Sequence, residues 1–102
     1  MSVQDPNLMF LASRLTKRGS QVLPLSIVKQ KQSYVVGHKR KHFKSNEEFI
    51  DEACKLTFVK ASGVWKLYWK RADLKWHLYE TYSGLELLTD EVDRDPNGCF
   101  WG

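Results

Sequence analysis

The chain has 102 residues, of which 42% are hydrophobic and 13 are aromatic, and this is enough apolar material for one hydrophobic core. We therefore expect a single domain over residues 1–102. Sixteen Lys and Arg against twelve Asp and Glu give a net charge of +4, which raises nucleic acid or an acidic protein as a partner. The charges are unevenly spread. Residues 1–44 hold nine Lys or Arg and one acid, whereas residues 80–95 hold six acids and one Arg.

The N-terminal segment has no basic stretch followed by a long apolar run, and its longest early apolar run is Leu8–Ala12. This pattern predicts neither a secretory signal nor a membrane span, so no membrane is expected as a partner. We expect a cytoplasmic protein. Its two cysteines, Cys54 and Cys99, should be free thiols, because disulfides are rare in a reducing compartment.

The first predicted element is a helix over residues 6–18. Asp5 can accept hydrogen bonds from the first free amides, and Pro6 fits the first helical position. Gly19 can end the helix. Apolar residues recur at helical spacing in this segment and predict a buried stripe that consists of Leu8, Leu11, Ala12 and Leu15.

Residues 20–37 are rich in strand-forming residues that do not alternate cleanly. They fit either a hairpin that bends near Lys31 and Gln32 or one irregular edge strand. The densest basic run of the chain follows, over residues 38–44.

A short helix is predicted over residues 46–54. Ser45 and Glu48 have the spacing of a capping box, in which each side chain accepts from the other residue's amide. Apolar and acidic residues then alternate at helical spacing, with Phe49 on the apolar side.

From Lys55 onward, apolar and polar residues alternate at the spacing of β-strands. Turns at Ser62-Gly63 and at Ala72-Asp73 would connect three such strands. All the Trp and Leu residues of these strands would then share one face, which predicts a three-stranded antiparallel meander. The predicted pairs are Leu56 with Trp69, Phe58 with Leu67, Leu67 with Leu78, Trp69 with Trp76, Tyr68 with His77, and Lys70 with Lys75.

A last helix is predicted over residues 84–93, with Ser83 as its cap and acidic residues on its outer side. A turn sequence over residues 95–98 ends this helix. The aromatic tail over residues 99–102 should fold back onto the protein, because large aromatic side chains are unfavourable in water. These elements predict an α+β fold, in which an antiparallel β-meander of three to five strands is packed on one face by two or three helices.

The segments Val64–Trp69, Leu74–Tyr79 and Glu91–Gly102 resemble an uncharacterised bacterial family, a domain of unknown function. That family has a Trp-rich β-meander and an ending that runs from Asp-Arg-Asp-Pro to Cys-Phe-Trp-Gly. The resemblance covers about the last half of the chain, and residues 20–54 lack the glycine-turned hairpin that usually precedes the meander. It implies a small, soluble bacterial protein associated with mobile gene cassettes, and it assigns no catalytic or binding residue.

The polar face of the predicted meander is the first candidate site. Cations can follow phosphates and aromatic rings can stack on bases, so a sheet face that carries both suits a single-stranded nucleic acid. An ordinary solvated sheet face can have the same composition. The opposed pair Lys70 and Lys75 would need a nearby anion, from a partner or from the acidic last helix. The candidate residues are Lys66, Tyr68, Lys70, Lys75, His77 and Tyr79.

The basic run is the second candidate site, and its cations could hold phosphates or simply be solvated. His38 and His42 have the spacing of metal ligands on a helix, but the cations between them oppose a metal. The acids Asp90, Glu91, Asp93 and Asp95 lack the spacing of a calcium loop. We therefore predict no metal and no cofactor. The candidate residues of the run are Lys39, Arg40, Lys41 and Lys44.

The leading hypothesis is a non-enzymatic binding module for nucleic acid or another polyanion. The alternative is a protein-interaction module or homodimer that uses the aromatic surface or a sheet edge. Cys54, Cys99 and His77 share no catalytic motif, and the chain has no glycine-rich phosphate loop or hydrolase elbow, so we predict no enzyme. If the acidic last helix covered the lysines of the meander, the nucleic-acid hypothesis would lose its main support.

Overall fold

A five-stranded antiparallel sheet and two α-helices make up the computed structural model, which describes residues 5–21 and 23–101. The strands follow one another across the sheet in the order β1-β2-β3-β4-β5. This confirms the predicted α+β fold and its antiparallel meander. The elements are α1 (Pro6–Leu15), a 3-10 turn (Thr16–Arg18), β1 (Leu25–Gln30), β2 (Ser33–Lys41), β3 (Glu48–Val59), β4 (Val64–Lys70), β5 (Trp76–Tyr82) and α2 (Leu85–Arg94).

Helix α1 begins as the sequence predicts. The Asp5 side chain accepts from the amides of Asn7 and Leu8, at 3.0 and 3.4 Å, and therefore caps the first turn. Leu11 and Leu15 are buried in the core. No helix among residues 5–21 and 23–101 is long and apolar enough to cross a membrane.

The segment over residues 20–37 forms the hairpin β1–β2, which was the first of its two predicted alternatives. The strands pair from Leu25 opposite His38 to Gln30 opposite Ser33, and the turn lies at Lys31 and Gln32. Val22 lies outside the described residues.

The prediction of a helix over residues 46–54 is wrong, because most of this segment belongs to the 12-residue strand β3. Lys41 lies opposite Glu48, and Arg40 forms an ion pair with Asp51 at 2.6 Å. The basic run and the acidic segment are thus the two strands of one hairpin, with charges that attract each other across it. Ser45 lies in the turn and caps no helix.

A β-bulge interrupts the β2–β3 ladder between Val36 and Gly37. A side chain at Gly37 would collide with the backbone of Asp51, so glycine permits the close approach of these strands.

The hairpin β3–β4 has the predicted faces but a different register. Its turn spans four residues, 60–63, with Gly63 in the left-handed region at φ 66°. Leu56 therefore pairs with Leu67, and Phe58 with Trp65, in place of the predicted Trp69 and Leu67. A shift of two residues leaves every side chain on its predicted face.

The predicted register of hairpin β4–β5 is wrong. The turn spans residues 71–75 and not Ala72-Asp73 alone, and its extra length moves the pairing by one residue. A bulge opposite the step from Leu67 to Tyr68 then shifts the pairing again. The observed pairs are Lys70 with Trp76, Trp69 with His77, Tyr68 with Leu78, Leu67 with Glu80, and Trp65 with Tyr82.

Helix α2 occupies the predicted position, but its N-cap is Gly84 and no side chain caps it, so the role predicted for Ser83 is wrong. The C-terminal tail folds back as predicted. Phe100 is buried, and the indole N–H of Trp101 donates to the backbone oxygen of Val92 at 2.8 Å. Gly102 lies outside the described residues.

The hydrophobic core lies between the two helices and one face of the sheet, here called the inner face. Leu11 of α1 and Leu88 of α2 belong to this core. The inner-face residues of the core are Leu25, Ile27, Tyr34, Val36, Cys54, Leu56, Phe58, Trp65, Leu67, Trp69, Tyr79 and Tyr82.

Candidate functional site

The outer face of the sheet, opposite the helices, combines cations with aromatic and aliphatic side chains. Strand alternation and register place them in cross-strand rows, of which the central one passes through Lys55, Tyr68 and Leu78. Trp76 and Leu78 lie on this face and outside the core cluster, so their predicted place among the core residues is wrong. The outer face consists of Ser26, Val28, Gln30, Ser33, Val35, Gly37, Lys39, Lys41, Glu48, Ile50, Glu52, Lys55, Thr57, Lys66, Tyr68, Lys70, Trp76, Leu78 and Thr81.

Two lysines of the outer face lie over aromatic rings. The Lys55 ammonium is 5.9 Å from the centre of the Tyr68 ring, and that of Lys70 is 5.0 Å from the Trp76 ring. Such cation–π contacts keep each cation beside an aromatic plane. The face therefore presents charge and stacking surface side by side.

The anion beside Lys70 is Glu52, with which it forms an ion pair on the outer face. Lys70 lies opposite Trp76 and not opposite Lys75, so the predicted like-charge pair is wrong. Lys75 is an exposed residue of the β4–β5 turn. Among the described residues of the outer face, Lys55 and Lys66 have no ion pair within 4.0 Å.

Two predicted residues of this site lie elsewhere. His77 lies opposite Trp69 and contacts Asp73, with Nε2 and Oδ2 at 2.8 Å. Tyr79 belongs to the core, where its hydroxyl donates to Glu91 at 2.6 Å. Neither side chain is on the outer face. The longer turn reverses the alternation over residues 76–78, and Tyr79 is the residue that the bulge leaves without a partner in β4.

The basic run is divided between the two faces of strand β2. Alternation places Lys39 and Lys41 on the outer face, in line with the lysines of β3 and β4. Arg40 is on the other side, where it pairs with Asp51. Lys44 lies in the turn that follows. The structure thus brings parts of both predicted sites together on one surface.

The acidic helix α2 lies on the inner side of the sheet, where its acids contact helix α1 and the following turn. Asp93 pairs with Lys17 at 2.9 Å and with Arg18 at 3.5 Å. Glu86 pairs with Arg14 at 3.1 Å. Two acids of α2 therefore neutralise cations of α1 and of the 3-10 turn, and the lysines of the outer face remain uncovered by this helix.

Lys55, Trp76 and Leu78 are members of the surface that sequence reasoning missed. Lys55 alternates with Cys54 and Leu56, so its position on the polar side of β3 was readable from the sequence. Trp76 and Leu78 carried no such signal, because their side depends on the length of the β4–β5 turn.

The two cysteines are both free, and Cys54 is buried in the core. Burial raises the pKa of the Cys54 thiol far above its ordinary value, which keeps it protonated and unreactive. Burial, with a smaller effect of Asp95, also raises the pKa of Cys99. Within residues 5–21 and 23–101, no three His, Cys, Asp or Glu side chains are arranged to hold a metal ion.

The C-terminal motif has a clear structural role. The carboxylate of Asp95 accepts from the amides of Phe100 and Trp101, at 3.1 and 2.9 Å. His38 and Arg18 contact the Trp101 ring, with their centres 5.2 and 5.4 Å from it. These contacts hold the tail over the end of the core, so the residues of the motif stabilise the fold and stand away from the outer face.

Fold and surface together define a small α+β domain that covers one face of its sheet with helices and leaves a basic, aromatic face open. Over residues 9–102 the chain matches the family described as Domain of unknown function (DUF3024), and it belongs to that family. No curated protein and no solved structure matches the chain.

Proposed function

We propose that the protein is a non-enzymatic binding module that holds single-stranded nucleic acid on the outer face of its sheet. The proposal includes the cytoplasmic location predicted from the N-terminal segment and the cysteines, and the bacterial, cassette-borne setting that the sequence resemblance implies. Its single main support is the composition of a face that no helix covers among the described residues, where Lys55, Lys66 and Lys70 alternate with Tyr68 and Trp76.

The chemistry of this face suits a single strand better than a closed duplex. Bases can stack on the rings of Tyr68 and Trp76 only when they are not already stacked and paired within a helix. The neighbouring ammonium groups of Lys55 and Lys70 are within 6 Å of those rings, close enough to contact the phosphates of a strand whose bases stack there.

The position of the negative charge supports the same conclusion. The acids of α2 pair with Arg14, Lys17 and Arg18 on the opposite side of the sheet. On the outer face, Glu52 pairs with Lys70, and Glu48 lies opposite Lys41. A polyanion that approaches this face therefore meets Lys55 and Lys66, which have no ion pair among the described residues.

Fluorescence anisotropy with labelled single-stranded oligonucleotides tests the proposal. Binding should weaken by roughly twentyfold when the salt concentration rises fourfold, if about three phosphates are neutralised. Absence of binding at tens of micromolar protein in low salt would refute it.

A pair of charge reversals gives the matched control. Lys66→Glu changes the outer face, whereas Lys60→Glu makes the same change of charge in the exposed β3–β4 turn. Lys66→Glu should weaken binding by about tenfold or more, and Lys60→Glu by no more than about twofold, because screening limits the reach of a surface charge. Equal losses would mean that net charge alone attracts the oligonucleotide.

A second candidate function is association through the β5 edge, which specific observations favour. Strand β5 is an edge of the sheet and can pair with another strand. Its Leu78 is 53% exposed and lies on the outer face, next to this edge. If the protein forms a homodimer there, light scattering over a concentration series will show a mass that rises to twice that of the chain, and Leu78→Arg will abolish the rise.

A further inference from the structure

The hairpin that connects β2 and β3 extends beyond the rest of the sheet as a two-stranded arm, here defined as residues 40–50. Strand β1 begins at Leu25, opposite His38, and β4 ends at Lys70, which contacts Glu52. Beyond these points the ladder consists of β2 and β3 alone. Every residue of the arm is exposed, so both of its faces are open to a partner.

The tip of the arm presents a large aromatic ring to solvent. His42 donates its amide to Glu47 at 2.9 Å and accepts from Asn46 at 2.7 Å, which closes a tight turn. Asn46 has φ 62°, a left-handed conformation that asparagine tolerates well. Phe43 is the first residue of this turn, and 93% of its surface is exposed.

Cations surround the tip and continue onto the sheet. Lys41 and Lys44 flank Phe43, and Lys39 lies on the same face as Lys41, toward the sheet. A groove of about 320 Å³ at the base of the arm is lined by three cations and one acid. Its lining residues are Gln21, Pro24, Lys39, Arg40, Lys41 and Glu48. A polyanion on the outer face therefore finds a basic path toward Phe43.

The distance along this path sets the kind of ligand that could reach both ends. Lys55, beside the Tyr68 ring, is seven residues from Glu48 along β3, which corresponds to about 23 Å at the usual rise of a strand. Tyr68 and the apolar tip are thus well separated, with Trp76 between them at the end of β4. A ligand that contacts both Tyr68 and Phe43 must be long enough to span this separation.

We propose that Phe43 packs against the terminal base pair of a duplex, at the point where the duplex opens into the single strand held by the outer face. This inference rests on the proposed function and names its ligand class as a junction between double-stranded and single-stranded nucleic acid. A two-stranded ribbon fits the major groove, and apolar side chains insert between base steps in several proteins that distort DNA. The ring of Phe43 is at a tip and not on a face, which suits the end of a base stack.

Charge favours this partner over an apolar protein surface. The arm carries three cations, Arg40, Lys41 and Lys44, against Glu47 and Glu48. At its base, Lys39 adds a fourth cation and Asp51 adds a third acid, which pairs with Arg40, so residues 39–51 keep a net positive charge. An anionic membrane surface has a related chemistry, because a lysine-flanked aromatic side chain can also bind there. The continuous basic surface that joins the arm to the stacking rings of the sheet favours nucleic acid.

Anisotropy with three labelled probes tests the inference: a single strand, a blunt duplex, and a duplex with a single-stranded overhang. The unmodified protein should bind the overhang probe most tightly. Phe43→Ala should weaken binding of the overhang probe by about fivefold or more, as expected for loss of a stacked ring, and should leave single-strand binding within about twofold. Phe43→Trp should retain the preference. Leu87→Ala, which removes an exposed apolar side chain from α2, should leave all three affinities unchanged.

A base analogue that fluoresces when it is unstacked, placed at the end of the duplex, gives a second readout. Its emission should change when the unmodified protein binds and should not change with Phe43→Ala. Failure of all three probes to bind would refute the proposed function itself. Single-strand binding without a preference for the junction, or equal losses on every probe with Phe43→Ala, would overturn this inference alone. Phe43-dependent sedimentation with anionic vesicles, in the absence of junction binding, would overturn it in favour of a membrane.

Discussion

The two faces of the sheet use the same kinds of residue for opposite purposes. On the inner face, Trp65 and Leu67 are buried beneath the helices. On the outer face, Trp76 and Leu78 lie beside lysines and outside the core. Tryptophan and leucine content alone therefore does not distinguish a core from a surface, whereas the register of the strands does.

The faces also differ in how their charges are matched. Around the helices, Arg14, Lys17 and Arg18 each pair with an acid of α2. On the outer face, Lys55 and Lys66 have no such partner within the part of the chain that the structure describes. We conclude that the inner side is organised for stability and that the outer face is the place to look for a ligand.

Truncation of one leucine on each face gives the largest expected contrast. Leu56 is fully buried on the inner face, and Leu56→Ala should lower the free energy of unfolding by about 2–5 kcal/mol, since it leaves a cavity. Leu78→Ala should cost less than about 1 kcal/mol, because half of that side chain is already in water. Urea denaturation followed by tryptophan fluorescence measures both. Equal losses would mean that the outer face is also covered in solution.

The tail offers a way to weaken the inner side while the outer face is left intact. Asp95→Ala removes the acceptor of two amides, those of Phe100 and Trp101, and should lower the free energy of unfolding by about 1–3 kcal/mol. Asp95→Asn should cost less, because asparagine retains an acceptor and tolerates the left-handed backbone found here, at φ 44°. Oligonucleotide affinity, measured at a temperature where each variant is folded, should be unchanged. A matching loss of affinity would place the tail in the binding site.

The correct parts of the sequence prediction depended on local chemistry. Asp5 and Pro6 start α1 as expected, and Gly63 turns the β3–β4 hairpin, because one residue's conformational preference decides each of these features. The faces of β3 and β4 were also predictable. A turn two residues longer than expected changes the pairs between these strands and leaves each side chain on its original face.

The errors arose where a distant strand or an irregular backbone overrides the local pattern. Residues 48–54 have a helical pattern, but a helix this short is only marginally stable by itself. As a strand, the same segment pairs with the basic strand β2. The complementary charges of Lys41 and Glu48 were visible in the sequence and could have indicated a hairpin. The length of the β4–β5 turn and the bulge in β5 were not visible, because no residue type there requires them. His77 and Tyr79 were therefore assigned to the wrong face of β5, and Lys75 to a strand when it lies in the turn.

The smallest expected effect is a pH dependence of the free energy of unfolding, and it arises from a carboxylate on the inner side of the sheet. The Asp5 carboxylate accepts from the Tyr34 hydroxyl at 2.6 Å and pairs with Lys29 at 2.9 Å. The hydrogen bond from Tyr34, then that from Lys29, lowers the pKa of Asp5 from 3.8 to about 2. Because the folded protein has the lower pKa, this contribution to stability is complete above the unfolded value and disappears as the pH falls toward 2.

Asp5→Asn isolates that charge, since asparagine is as good an N-cap as aspartate and can still accept from Tyr34. The variant should be less stable than the unmodified protein by about 1 kcal/mol at neutral pH, a value that allows for solvent screening around the exposed Lys29. The difference should shrink between pH 4 and pH 2, as measured by urea denaturation at a series of pH values. A penalty that persists undiminished at pH 2 would assign the loss to hydrogen-bond geometry. Lys66→Ala, on the outer face, should leave the pH dependence of stability between pH 4 and pH 2 unchanged, because Lys66 is not among the residues that shift the pKa of Asp5.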